Sequence, residues 1–401
     1  MTNTQNTDAP SWPGLALTPG LFLAIFGAGF AGRVVGESAP ISMGVFQDAV
    51  GLTAAQAGTI FSGSSLASGV VSLLIASFMN RLSRPIVAYS GLAVIALGTA
   101  AALLSNDYIS LLVARMGVGA GLGLMMAASS ASFGALRDPD RAAGLTSVLG
   151  SLVAAGFVLI LPVIAAREGL HGLFITEFVF IACFGLFAFR LPAAPQPSAS
   201  SSSSPSSTKP NGSFLSKPAL LLMGSLALLM VGESAAWVLA ERRGTALGLS
   251  PERIGIWLGV MNLFGMGGAA LVATISTRYG RFGPWGIGMV FLVLGILLVY
   301  SAPMEPPWGE AAFGAGLVFW CIGFFLQLPY VMGALSVMDP QGRLGAMKGA
   351  AMVFGMSLGP TLGGLIASAF GQSFIGPFAA AVIISSMLLA GPVMRRLDRA
   401  T

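Results

Sequence analysis

One short phrase occurs twice in this chain, Val35-Gly36-Glu37-Ser38 and Val231-Gly232-Glu233-Ser234. Each copy lies within a long apolar run, so each sets a carboxyl group where hydrocarbon is expected. An ionisable group at such depth is costly and marks a functional site by default. Arg33 stands one turn before Glu37, at i, i+4, the spacing that puts a guanidinium and a carboxylate on one helix face. That cation is expected to hold Glu37 ionised. Glu233 has Met230 and Trp237 at the neighbouring helical positions and no basic residue within a turn. Burial therefore favours its neutral form, which makes it the preferred site for loading and releasing a proton. Glu37, Arg33 and Arg115 are expected to form a switchable network beside it. The alternative is that Arg33 and Glu37 only glue helices together, and Glu177, next to Thr176, is open to either reading.

A substrate pocket is expected near the membrane midplane among the first, fourth, seventh and tenth spans. Side chains with polar or aromatic tips there are Arg33, Glu37, Trp237, Asn262, Trp320, Gln327 and Tyr330. Each could equally be helix packing. Metal or cofactor chemistry has no donor set to use: the only cysteines are Cys183 and Cys321, both in apolar runs, and the only histidine is His171.

The elements that carry these residues are membrane spans. Of 401 residues, 55% are hydrophobic and 9% charged, against roughly 25% charged in ordinary soluble domains. Apolar stretches fall near 17–42, 54–79, 86–104, 109–135, 142–166 and 171–191, and again near 218–240, 253–276, 284–302, 310–336, 342–370 and 374–394. This predicts twelve transmembrane helices in two six-helix bundles, 1–192 and 218–401, joined by a flexible Ser/Pro-rich linker over 193–217. The first sixteen residues lack the basic region and cleavage site of a signal peptide, so the first run is expected to stay as a helix.

Positive residues accumulate in cytoplasmic loops. With the amino terminus inside, fourteen of the 20 Lys and Arg fall at the inner ends, four at the outer ends, and Arg33 and Arg115 within spans. Both termini are therefore expected in the cytoplasm, with the linker. The net charge of +5 reflects this topology and is no nucleic-acid footprint. The halves also repeat: Leu52, Gly58, Arg81 and Arg84 recur 197 positions later as Leu249, Gly255, Arg278 and Arg281. Parallel repeats joined loosely imply a central cavity between bundles that rock about it.

The loop after the second span, Asn80-Arg81-Leu82-Ser83-Arg84, and its copy Thr277-Arg278-Tyr279-Gly280-Arg281 resemble the gate motif of the major facilitator superfamily, roughly G-x-L-x-D-R-x-G-R-K. Both arginines survive in each copy; Asn80 and Thr277 replace the acid, so a hydrogen-bonded gate is the version the resemblance supports. Arg115-Met116-Gly117-Val118-Gly119-Ala120-Gly121 is similar to the family's fourth-span pattern, with Val118 in place of glutamine. The resemblance implies a link to proton transfer for Arg115. Gly355 to Gly364 match the family antiporters' G-x-x-x-G-P-x-x-G-G, but in the eleventh span instead of the fifth.

The resemblance covers the whole chain and implies the family's fold. The expected function is proton-coupled secondary transport of a small organic molecule by alternating access, in the inner membrane, by a monomer whose partners are substrate, protons and the bilayer. Efflux of an amphipathic or cationic compound by antiport is favoured, because acids beside Trp237 suit a cation. Proton-coupled uptake or exchange of an organic anion held by Arg33, Arg115 and Lys348 is the alternative. A non-transporting sensor or assembly factor is a further one. No nucleophile, base and orienting group share usable spacing, which argues against an enzyme. The lack of a G-x-x-x-x-G-K-[ST] loop excludes an ATP-driven pump as a single chain.

Overall fold

A computed structural model describes residues 15–76, 78–79, 81–105, 107–133, 135–137, 139–192, 216–275, 278–301, 308–338 and 343–400. Asn80, Thr277 and nearly all of the expected linker lie outside these. The chain forms α1 (Pro19–Val50), α2 (Ala54–Ala76), α3 (Arg84–Leu103), α4 (Tyr108–Phe133), α5 (Pro139–Gly185), α6 (Lys217–Trp237), α7 (Ala240–Ala246), α8 (Pro251–Ile275), α9 (Phe282–Ser301), α10 (Trp308–Met338), α11 (Arg343–Phe370) and α12 (Ile375–Ala400).

Both halves open with the same device. Before α1 the Thr18 hydroxyl accepts the Leu21 N–H at 3.3 Å, and before α6 the Ser216 hydroxyl accepts that of Ala219 at 3.4 Å, each with a proline in the first turn. These satisfy donors that a helix start leaves orphaned. The helix of the first span runs eight residues past its expected end at 42, to Gly51, whose φ of 70° ends it. Hydropathy marks where hydrocarbon stops, whereas the backbone ladder here runs on until a left-handed glycine breaks it.

Eleven helical segments among the described residues are long and apolar enough to cross a membrane. One of them carries two passes. Within the 47 residues of α5 the chain leaves helical geometry at Gly169 (φ 56°, ψ −135°). Phe157 and Phe180, nearly equidistant from it, bring their ring centroids to 4.7 Å, so the two arms fold back on one another. The expected break between 166 and 171 is this single glycine, and the count of passes among the described residues is twelve.

The bundles meet along two seams that repeat one another. A side-chain carbon at Gly58 of α2 would strike the Pro360 carbonyl of α11, and one at Gly255 of α8 would lie 2.7 Å from the Leu159 carbonyl of α5. These glycines are the pair found 197 residues apart in the sequence, and each lets two backbones touch. Thr361 reinforces the first seam, donating its N–H and hydroxyl to Ser62 Oγ at 3.1 and 2.7 Å. Gly58 and Gly255 lie about one turn from the helix ends remote from the termini, so these two backbone contacts fall in that half of the molecule.

Candidate functional site

Three clusters of polar side chains sit on α1: helical rotation puts the first and third on one face, about three turns apart, and the second on another. The first is the expected one. Arg33 Nη2 donates to Glu37 Oε1 at 2.9 Å, with the Arg33 side chain 36% exposed and Glu37 14%. From the other bundle α6 brings Glu233 opposite: the Trp320 indole on α10 donates to its carboxyl, and Glu37 lies within electrostatic range. Trp237 Nε1 donates across the interface to the Gly36 carbonyl at 2.8 Å, and its ring meets Trp320 edge-on with centroids 6.1 Å apart. The repeated glutamates, 196 residues apart in sequence, are thus facing neighbours. Cys321 joins the same group of charges, a neighbour that its apolar surroundings in the sequence did not announce.

The second cluster lies on the adjacent face. Arg115 Nη1 on α4 pairs with Glu177 Oε2 on the second arm of α5 at 2.7 Å, both side chains at most 3% exposed. Ser38 and Ser42 of α1 donate their hydroxyls to Glu177 Oε1 at 2.5 and 3.3 Å, and the Arg115 guanidinium stands 5.1 Å from the Phe174 ring centroid. This divides the expected network: Arg115 is engaged with Glu177 behind α1, while Arg33 and Glu37 face the interface. One residue along an α-helix turns the side chain by about 100°, so Glu37 and Ser38 cannot share a face.

The third cluster closes the far end. Arg242 of α7 pairs with Asp48 Oδ2 of α1 at 2.8 Å, donates to the Gly44 carbonyl, and lies 3.8 Å from Glu241 Oε2. The bare backbone at Gly44 gives Glu241 its room. Arg242→Ala removes the charged link between bundles here. Amide hydrogen exchange in 36–48 and 237–246 is expected to rise on the order of tenfold, the worth of one lost charge-assisted bond. Unchanged protection would show that the seams alone hold this end.

The remaining expected residues are placed apart from these clusters. Gln327 is fully buried on α10, against Gly288 of α9, with neither amide atom hydrogen-bonded. Asn262 is buried and donates to the Leu258 carbonyl of its own helix at 3.2 Å, and Tyr330 is buried on α10. Arg81 and Arg278 are exposed near the termini; Arg84 is buried at the start of α3 with Nε and Nη1 unpartnered. At the second gate motif an acid arrives from elsewhere in the chain: Asp398 of α12 accepts the N–H groups of Arg281 and Phe282, each at 2.8 Å, and so caps α9. Its distance in sequence hid it, as it hid the partnership of Glu177 with Arg115.

A cavity of about 310 Å³ opens between α1, α4 and α5 in the half nearer the termini, with Arg33 on its wall. No cluster of three or more His, Cys, Asp or Glu placed to hold a metal occurs among the described residues.

The family model described as Major Facilitator Superfamily matches residues 20–363. No curated protein matches the chain. Among solved structures, a mutant of nucleoside transporter NupG superposes with a TM-score of 0.74 at 12% identity, over 94% of this chain and 99% of that one. A bacterial homolog to the human lysosomal transporter Spinster, in an inward-facing and unoccupied conformation, gives 0.70 at 13% identity, covering 95% and 98%. A D-xylose–proton symporter gives 0.70 at 14%, covering 92% and 95%.

Proposed function

The chain belongs to the Major Facilitator Superfamily, and from that premise we propose that it is a transporter and not an enzyme, moving a small organic molecule with protons by alternating access. The observation that carries this reading is the facing pair Glu37 and Glu233. One carboxyl is compensated by Arg33, and the other meets an indole and a second carboxyl. A bundle interface that changes its opening changes the water and the partners at such a pair, and with them the stability of a proton there. Glu233 is assigned the proton that moves; Arg115, engaged with Glu177, is assigned to holding α1 in place. The basic residues gathered at the termini end support reading that end, with both termini, as cytoplasmic, and the membrane as the inner one. The transporting unit is read as a monomer.

Two substrate readings have an observation each. The Trp237 and Trp320 rings beside two carboxylates favour efflux of a cation by antiport. Arg33 on the cavity wall favours an organic anion moved together with a proton. Sealed vesicles holding the protein, a pH-sensitive dye and matched organic anions and cations separate them. External alkalinisation on adding an anion establishes symport, and proton release from acid-loaded vesicles on adding a cation establishes antiport. If no solute moves protons, the reading of proton-coupled transport falls and a non-transporting role takes its place.

A further inference from the structure

We propose that the cavity between α1, α4 and α5 binds a small organic carboxylate with an apolar or aromatic body, seated on the edge of Arg33 that Glu37 leaves free. The inference rests on the transporter reading and names its substrate class. The cavity is lined by Phe26, Phe30 and Arg33 of α1, Met126 and Phe133 of α4, and Thr146 of α5, among others. Arg33 is the one charged residue among the described lining, so the wall offers a cation and no acid. Glu37 occupies only Nη2; Nε and Nη1 make no hydrogen bond among the described residues.

A guanidinium has two edges and takes a carboxylate on either in a two-point contact. Gly150 keeps the second edge open, since a side-chain carbon there would lie 3.2 Å from Arg33 Nη1. Thr146 stands one turn earlier on α5 and also lines the cavity, with a hydroxyl that has no partner among the described residues. Ser129, by contrast, is spent on the Ile25 carbonyl at 2.8 Å. A head group accepting from Arg33 and Thr146 leaves its body against the Phe26, Phe30 and Phe133 rings and Met126. An ammonium head would meet Arg33 and be repelled. A neutral head would forgo the charge-assisted bond.

Because ligand and Glu37 share one guanidinium, they compete for its charge. Removing the negative charge of Glu37 therefore strengthens the site, a consequence that a merely structural Arg33–Glu37 pair does not have.

The test is equilibrium binding to the full chain in nanodiscs with a panel of matched solutes: acetate, benzoate and phenylacetate, with benzyl alcohol and benzylamine. Binding of benzoate or phenylacetate in preference to the alcohol and the amine is expected. Arg33→Gln should weaken it about 10- to 100-fold, Thr146→Val by a smaller factor, and Glu37→Gln should tighten it. Thr146→Val keeps the shape of its side chain and guards against loss of fold in the arginine variant. Preference for benzylamine, failure of every carboxylate to bind, or wild-type benzoate affinity in folded Arg33→Gln overturns the proposal. If the carboxylates fail while another solute drives proton flux in the vesicles, the substrate class falls and the transporter stands. If no solute moves protons, the transporter reading itself falls.

Discussion

Glu233→Gln is expected to abolish gradient-driven transport, down to the level of vesicles without protein, while substrate-for-substrate exchange and binding persist. Glutamine keeps the size and the hydrogen-bonding oxygen that the Trp320 indole meets, but it holds no proton that can leave. No ion pair to Glu233 occurs among the described residues, whereas Glu37 has Arg33 at 2.9 Å. The two carboxyls of the repeated phrase therefore differ in kind: one is held by a cation and the other is free to respond when the bundle interface opens or closes. Exchange needs the loaded carrier to alternate and needs no net proton movement, so it separates coupling from mere damage. Uphill transport at the wild-type rate in the glutamine variant would remove Glu233 from the mechanism and leave Glu37 as the remaining candidate on this face.

The second large effect belongs to stability. Arg115 and Glu177 are buried together at 2.7 Å, and Ser38 and Ser42 tie the same carboxylate to α1. Glu177→Leu or Arg115→Met alone leaves one charge buried without its counterion, which costs about 3–5 kcal/mol. Either single variant should lower the temperature of half-aggregation strongly or fail to accumulate as a folded protein. The double variant Arg115→Met with Glu177→Leu should recover most of that loss, because two apolar side chains replace two matched charges. If the pair instead carries protons, the double variant will fold and yet lose proton-coupled flux. Retained flux assigns the pair to positioning α1, with Glu37 turned toward Glu233.

Much of the architecture could be read along the chain. Apolar runs and the 197-residue repeat follow from local constraints, since a pass needs about 20 apolar residues and a duplicated bundle keeps its backbone contacts at matching positions. Gly58 and Gly255 show it well: a repeat seen only as letters becomes two equivalent seams. Helix ends were less legible. The sequence places the turn of α5 between 166 and 171, where Arg167, Glu168 and His171 flank Gly169, but misses the end of α1, since that depends on Gly51 taking a left-handed conformation.

The site divides in the same way. The pairing of Arg33 with Glu37 lies within one turn of one helix, so spacing alone determined it. The meeting of Glu37 with Glu233, the partnership of Arg115 with Glu177, the arrival of Asp398 at the start of α9, and the exclusion of Gln327 from the open cavity all join or separate segments that are distant in sequence. Each depends on how helices are rotated about their own axes, and about 100° of rotation moves a contact from one residue to the next. Hydropathy does not record that rotation in helices that are apolar on nearly every side. The sequence by itself determined that three carboxyls, Glu37, Glu177 and Glu233, and two arginines, Arg33 and Arg115, lie within the spans of a membrane protein. Only the packing of the bundles decided which of them face one another and which hold the scaffold.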